Sequence, residues 1–500
     1  MVSVIAFICW MPVMSTVKYW QLSIVRHKRM YHFDLSRRGF LGGLAATAGC
    51  ASLGKWHLSK RVPVNYWCTW DIQNVYAADK GCRGEIMFPG DQGSVGARDA
   101  LDEKLLFGPN GWARRYYPES REDMLLLLDD GWDVPYGLVP RGFQDMHPFG
   151  SLQMDESRFP SFGKTPSDRL RNVRRAAEDL GWAGLGIWVA CQVFGDRQGA
   201  LLDDRRTHET IKRLLAESAA AGVRYWKLDW GLRDKDADFR TLISELKEKY
   251  YPELYFEHKA EYTRPLNPAR LEVDTPYNRA LLSTGDVFRI YDLLCPLDLS
   301  TALERIAKYA RLIDRIGSCS VLNCEDNPVP AAVLGHSFGA MRSGDAASLL
   351  VQGVNRNAER FAEVTEAAHW QRVAPAYGGT AEAKTVVSEE TLEDSYSFRA
   401  DEGWYGPAKG KRVTQTAPAV IARGMPVPEV KPLGKERPFV VAGRHPNGAV
   451  SVAALPRVIE GKFVSPSVDV ILPVEVTGGT PFKSFGTVRH VSDARGRMLQ

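Results

Sequence analysis

The chain has 500 residues, 44% hydrophobic and 25% charged, enough apolar material for a large core and two or three domains. Its 64 basic and 60 acidic residues leave a net charge of +4, too slight a bias to point to nucleic acid or a membrane surface as partner. Past residue 60 no apolar run reaches the ~18 residues of a membrane span, so no transmembrane body is expected; the cysteines form no CxxC pair and the histidines no ligand cluster, so neither a metal nor a cofactor is expected.

In chain order, residues 1–55 read as an export signal and leader. Arg37-Arg38 stand before Phe40-Leu41 and a short run rich in Gly and Ala, which resembles a twin-arginine signal and implies a periplasmic or extracellular protein. Met30 is a candidate start. Cys50 after Ala48-Gly49 resembles a lipoprotein cleavage site and thus a lipid anchor, although Thr47 stands where that pattern wants Leu.

Residues 60–377 alternate short apolar runs with amphipathic stretches, the pattern of repeated strand–helix units. Val64–Trp70 is the first expected strand, followed by an insertion over roughly 81–120. Leu125–Leu128 is the second and runs into Asp129-Asp130; two adjacent carboxylates repel and call for a ligand rich in hydroxyls. Gly184–Ala190 is the third. A helix over Ile211–Ala221, stopped by Gly222, leads to the fourth, Val223–Leu228. There Lys227 and Asp229 sit two apart and so point the same way at a strand end. Leu254–His258 is the fifth and carries Glu257; Leu281–Asp286 is the sixth and Cys319–Asp326 the seventh. The eighth has no clear signal. Residues 378–500 change character: short alternating runs, with a turn at His445-Pro446-Asn447-Gly448 between two of them, read as a small antiparallel, β-sandwich-like domain. The expected fold is therefore α/β, a (β/α)8 TIM barrel followed by a small C-terminal antiparallel β domain.

The strand-end motifs carry a resemblance. Leu128-Asp129-Asp130-Gly131-Trp132, Gly186-Ile187-Trp188 and Trp226-Lys227-Leu228-Asp229, in that order, are similar to those of clan D glycoside hydrolases, the α-galactosidase families twenty-seven and thirty-six. The resemblance implies a retaining glycosidase acting on α-galactosyl-type residues of an oligosaccharide or glycoside, or on a related sugar such as N-acetylgalactosamine or arabinopyranose. It implies Asp229 as nucleophile, Lys227, Asp129 and Asp130 as sugar contacts, Trp70 and Trp188 as aromatic walls and Glu257 as a further substrate contact. It implies an Asp at the end of strand six as acid/base: Asp286 is the candidate and Asp292 the reserve. Such chemistry needs one carboxylate to attack the anomeric carbon and one acid to protonate the leaving oxygen.

One motif competes. Gly335-His336-Ser337-Phe338-Gly339 fits the G-x-S-x-G elbow of serine esterases, and Ala331–Leu334 before it can be read as a strand. Asp394 and His445 would then complete a triad, from a region that reads as a separate domain.

Overall fold

The computed structural model describes residues 65–79, 92–138, 146–260, 272–284, 286–290, 297–341, 357–400 and 409–472, with short strands at 4–9, 20–24, 483–485 and 490–493. Eight parallel strands form one sheet: β1 (Asn65–Cys68), β2 (Met124–Leu128), β3 (Leu185–Val189), β4 (Tyr225–Leu228), β5 (Tyr255–Lys259), β6 (Val287–Arg289), β7 (Val321–Asn323) and β8 (Gly339–Ala340), in the order β8-β1-β2-β3-β4-β5-β6-β7. The sheet closes: Ser337, just before β8, bridges Asn323 in parallel, with Ser337 N–H donating to Leu322 and Cys324 N–H to Ser337. Each strand is followed by a helix: α1 (Trp70–Asp79), α2 (Pro166–Asp179), α3 (Asp204–Ala221), α4 (Ala237–Tyr250), α5 (Pro276–Thr284), α6 (Asp298–Ile316), α7 (Pro328–Leu334) and α8 (Asn357–Gln371). This is a (β/α)8 barrel.

Period-2 alternation sorts the strand residues. Trp67, Leu126, Leu128, Ile187, Trp226, Phe256, Phe288 and Leu322 face outward into the main core with the helices. Tyr66, Cys68, Leu125, Leu127, Tyr225, Tyr255 and Val287 form a separate cluster inside the barrel. The helices start where the sequence supplies caps: the Thr165, Asp203 and Asp236 side chains accept from backbone N–H groups of the first turns of α2, α3 and α4. Gly222 ends α3 as expected.

Two expected strands differ. Leu281 and Leu282 lie not in strand six but in helix α5, buried against the core; β6 begins only at Val287. The apolar pair made the helix look like the strand, because a three-residue strand whose third residue is Arg289 carries almost no hydrophobic signal. Ala331–Leu334 is likewise helical, within α7, as four apolar residues cannot by periodicity alone be told apart as helix or strand.

Strands resume at Thr385. A six-stranded sheet is ordered Thr385–Val387, Val420–Arg423, Phe439–Arg444, Val450–Leu455, Val4–Cys9, Lys483–Phe485; a four-stranded one is ordered Glu429–Pro432, Val468–Leu472, Trp20–Ile24, His490–Asp493. All pairings are antiparallel except that of Val420–Arg423 with Phe439–Arg444. The turn expected at 445–448 closes the hairpin, with Arg444 opposite Val450. Two strands of these sheets come from the segment expected as leader; Met30, Arg37, Arg38 and Cys50 lie outside the described residues.

Candidate active site

The strands that bury an apolar cluster lower in the barrel turn ionic at their C-terminal ends. β4 carries Lys227 inward and ends in Asp229; β2 ends in Asp129; β5 carries Glu257 and Lys259; β6 ends in Arg289; Glu325 follows β7. All seven are buried, none more than 7% exposed. A charge in that environment persists only when paired, and each of these is. Lys227 Nζ lies 3.0 Å from Asp129 Oδ2 and 3.4 Å from Glu325 Oε1. Arg289 reaches three carboxylates: Asp229 Oδ2 at 2.9 Å, Glu325 Oε2 at 2.8 Å and Glu257 Oε1 at 3.1 Å. Lys259 Nζ stands 3.7 Å from Asp229 Oδ1, and Arg240 donates to the Asp229 backbone carbonyl at 2.9 Å.

The electrostatics separate the carboxyls. Burial alone would raise the pKa of Asp229, but Arg289, Lys259, Lys227 and Arg240 outweigh it and hold the group below the ordinary carboxylate range. Glu325 is also lowered: burial opposes, and Arg289 and Lys227 prevail. Glu257 goes the other way, raised by burial and by Glu325 against the pull of Arg289. Asp229 is thus an ionised carboxylate whose Oδ1 accepts no hydrogen bond among the described residues.

Beside it, Asp129 accepts from the Cys68 thiol at 2.9 Å, and Asp130 takes the Arg98 guanidinium at 2.7 Å. Arg98 lies over the rings of Phe149 and Trp230, 5.1 and 5.8 Å from their centroids. Burial raises Asp130, with Arg98 opposing. Asp133 is also buried; its Oδ2 accepts from Leu152 N–H at 3.1 Å, and burial together with the Asp130 charge pushes it up to about 7.

The structure gathers Asp129, Lys227, Asp229 and Glu257 as the sequence reading expected and places Asp130 next to them. Three roles change. Glu257 is fully buried and its oxygens are taken up by Tyr66, Tyr225 (2.7 Å), Asn323 (2.6 Å) and Arg289, so it anchors Arg289 from below and offers no surface to a ligand. Trp188 is 1% exposed, packed against Trp230 and Phe149's cluster, and its carbonyl accepts from Trp132 Nε1; it backs a wall that Trp230 covers. Trp70 is half-buried where α1 leaves β1, against the cluster inside the barrel.

Asp286 is not brought to the site. It precedes β6 and so sits at the N-terminal end of the barrel, where it accepts from Phe256 N–H at 2.9 Å and pairs with Lys247 of α4 at 2.8 Å. Asp292, the reserve candidate, lies outside the described residues. Sequence reasoning missed Arg289, Glu325, Lys259 and Arg98. Arg289 ends the strand that the sequence reading set too early; Lys259 directly follows the expected strand five and Glu325 lies within the expected strand seven, and neither was read as a site residue there.

The serine motif dissolves on inspection. A helix precedes Ser337 where an elbow needs a strand; Ser337 is 1% exposed and donates to Leu322 O at 3.1 Å. Its glycines have other work. Gly335 caps α7 at φ +67°, and a Cβ on Gly339 would meet the Tyr66 ring at 2.3 Å, the ring that reaches Glu257. Asp394 pairs with Arg457, and His445 faces Ser451 at 3.0 Å.

No protein-family model matches the chain, and no curated protein matches it. Among solved structures it is similar to a GH27 β-L-arabinopyranosidase from Geobacillus stearothermophilus, at 9% identity over 79% of this chain and 97% of that one, with a TM-score of 0.40. It is similar to an α-galactosidase from Saccharomyces cerevisiae at 12% identity, over 71% of this chain and 70% of that one, with a TM-score of 0.35. A third is α-galactosidase I from Mortierella vinacea, at 11% identity, 80% and 98% coverage and a TM-score of 0.31. At these identities none of them assigns a role to a residue of this chain.

Proposed function

We propose that the protein is a retaining glycoside hydrolase that removes a terminal α-galactosyl-type residue through a covalent intermediate on Asp229. The observation that carries this reading is the state of Asp229. It is a buried, ionised carboxylate at the C-terminal end of a barrel strand, the end where such barrels do chemistry, with Oδ2 fixed by Arg289 and Oδ1 accepting no hydrogen bond among the described residues. Beside it, Asp129, Asp130 and Lys227 offer acceptors and a donor of the kind that hold sugar hydroxyls.

In the first step an Asp229 oxygen attacks the anomeric carbon, an acid protonates the glycosidic oxygen, and the alcohol leaves. Water then cleaves the ester while the acid, now a base, takes its proton. Glu325 cannot readily serve as that acid, since Arg289 and Lys227 keep it ionised, and Asp286 is at the wrong end of the barrel. We assign the role to Asp292, three residues after Arg289 in the chain.

A panel of 4-nitrophenyl glycosides (α-D-galactoside, α-N-acetylgalactosaminide, β-L-arabinopyranoside) tests the reading. Turnover of at least one is expected, lost in Asp229→Gly and restored by azide as a product of inverted configuration. Asp292→Ala is expected to retain turnover of substrates with good leaving groups, which need no protonation. Retained activity in Asp229→Gly sinks the reading.

A further inference from the structure

Seven buried charges form the ionic layer, and six of them belong to two hubs, with Lys259 joined through Asp229. Lys227 gathers Asp129 and, at 3.5 Å, the Cys68 sulfur; Arg289 gathers Asp229 and Glu257. Glu325 is the carboxylate that touches both, with Oε2 2.8 Å from Arg289 Nη1 and Oε1 3.4 Å from Lys227 Nζ. The Tyr66 hydroxyl, shared with Glu257, lies 3.3 Å from the same Oε1.

Its backbone is fixed as firmly as its side chain. Cys324 N–H donates to Ser337 O at 2.9 Å and Asp326 N–H to Gly339 O at 2.7 Å, which pins the turn to the closing strand on both sides of Glu325. The Asn327 side chain donates to the Glu325 carbonyl at 3.2 Å. Asp326 holds φ +55°, the left-handed region that Asp enters more readily than most non-glycine residues, and its side chain accepts from Met341 N–H at 3.0 Å.

We propose that Glu325 is a positioning residue of the reaction: it locks Lys227 and Arg289 to one another so that both cations stay in place when Asp229 loses its charge. This rests on the glycosidase reading. While Asp229 is free, it neutralises Arg289 directly. Once its oxygen is bonded to the sugar it is a neutral ester, and Glu257 below and Glu325 beside it still face Arg289. Two like charges would then face the glycosyl group with one fewer counter-ion between them. Glu325 supplies that counter-ion through both steps, and no bond to it forms or breaks.

The test is Glu325→Gln beside Glu325→Asp, with kcat and KM on a 4-nitrophenyl and a 2,4-dinitrophenyl glycoside that the wild type cleaves. A misplaced pair of contacts costs roughly 10²-fold in rate. We expect that loss in kcat for Glu325→Gln, of the same size with both leaving groups because the second step suffers too, with KM changed by less than the rate. Glu325→Asp keeps the charge but cannot span both cations, and should recover part of the loss. A folded Glu325→Gln protein with the kcat of the wild type overturns the proposal. If Glu325→Gln does not fold, Glu325→Asp decides: wild-type kcat with a lowered melting temperature makes Glu325 structural only, and reduced kcat at a similar KM supports positioning. A wild-type protein that cleaves no glycoside removes the proposed function itself, a failure distinct from an active wild type that is indifferent to Glu325.

Discussion

Replacing Asp286 with Ala should damage the fold and spare the chemistry. The carboxylate closes a small polar joint at the base of the barrel: Lys247, whose side chain is 2% exposed, sits 2.8 Å from it, and the Phe256 amide donates to it at 2.9 Å. Removing one partner of a buried pair costs up to ~3–5 kcal/mol, and an orphaned buried N–H about 1–3 kcal/mol. Two observations reduce that. Asp286 itself is 27% exposed and Lys247 retains Glu248, and burial raises the Asp286 carboxyl even against Lys247, so part of the pair's gain is already spent. A loss of about 2 kcal/mol is the reasonable figure, a fall in Tm of roughly 3 °C for a barrel of this size. The site lies elsewhere: from Asp286 to Arg289 the strand rises about 10 Å, at roughly 3.3 Å per residue. Below the transition, kcat on an unactivated glycoside should therefore stay within about threefold of wild type, whereas loss of a general acid costs about 10²–10⁴-fold. Calorimetry and steady-state kinetics on the same preparation settle it. A hundredfold drop in kcat for a variant with native circular dichroism would refute the placement of β6 from which this follows.

Other perturbations separate further alternatives. Asp133, raised to about 7 against a usual 3.8, holds a proton when folded that the unfolded chain releases, so its effect on stability is lost as pH rises through that window; on the order of 4 kcal/mol is at stake. Asp133→Asn should thus gain stability over wild type at pH 8 and far less at pH 4.5; Asp229 and Glu325 are shifted the other way, both lowered, so their contribution is lost toward acid pH instead, and equal Tm differences at the two pH values would disprove the assignment. Ser337→Ala should lose about 1 kcal/mol of stability, one buried hydrogen bond, with glycoside cleavage intact and no fluorophosphonate labelling of the wild type; labelling at Ser337 would revive the esterase. Arg37→Lys with Arg38→Lys should retain the protein in the cytoplasm, and its appearance in the periplasm would remove the export signal.

What the sequence made legible follows a physical rule. Strands two, four and five announce themselves because each is an apolar run that ends in a charge: Leu125–Leu128 into Asp129, Leu228 into Asp229, Phe256 into Glu257; strand three is legible from its apolar run alone, Leu185–Ala190. The rule fails where the strand is too short to be a run. β8 is Gly339-Ala340, and β6 is three residues, of which Arg289 faces inward. A guanidinium inside a barrel contradicts the expectation that inward means apolar, so the eye moves to Leu281-Leu282, which is a helix face. That shift of one element carried the acid/base candidate from the mouth of the barrel to its base. Arg289 was missed with that strand; Glu325 lay inside the expected strand seven and was missed because its partners are set by the closure of the sheet and not by neighbours in the chain.

The distribution of charge along single strands argues that the ionic layer serves function. β4 carries Tyr225 inward, then Lys227, and runs into Asp229; β5 carries Tyr255 inward, then Glu257 and Lys259; β6 carries Val287, then Arg289. Tyr225, Tyr255 and Val287 pack in the cluster inside the barrel. The barrel therefore already shows how these strands fill an interior with side chains that need no counter-ion. Filling the upper layer the same way would be neutral or stabilising, since a buried ion pair seldom repays its desolvation. Four carboxylates and three cations stand there instead, with Glu257 wholly withdrawn from solvent to hold the guanidinium that holds Asp229. Stability alone gives no reason to gather that cost at the C-terminal end of the strands; the nucleophile we propose, which must be charged, fixed and dry, does.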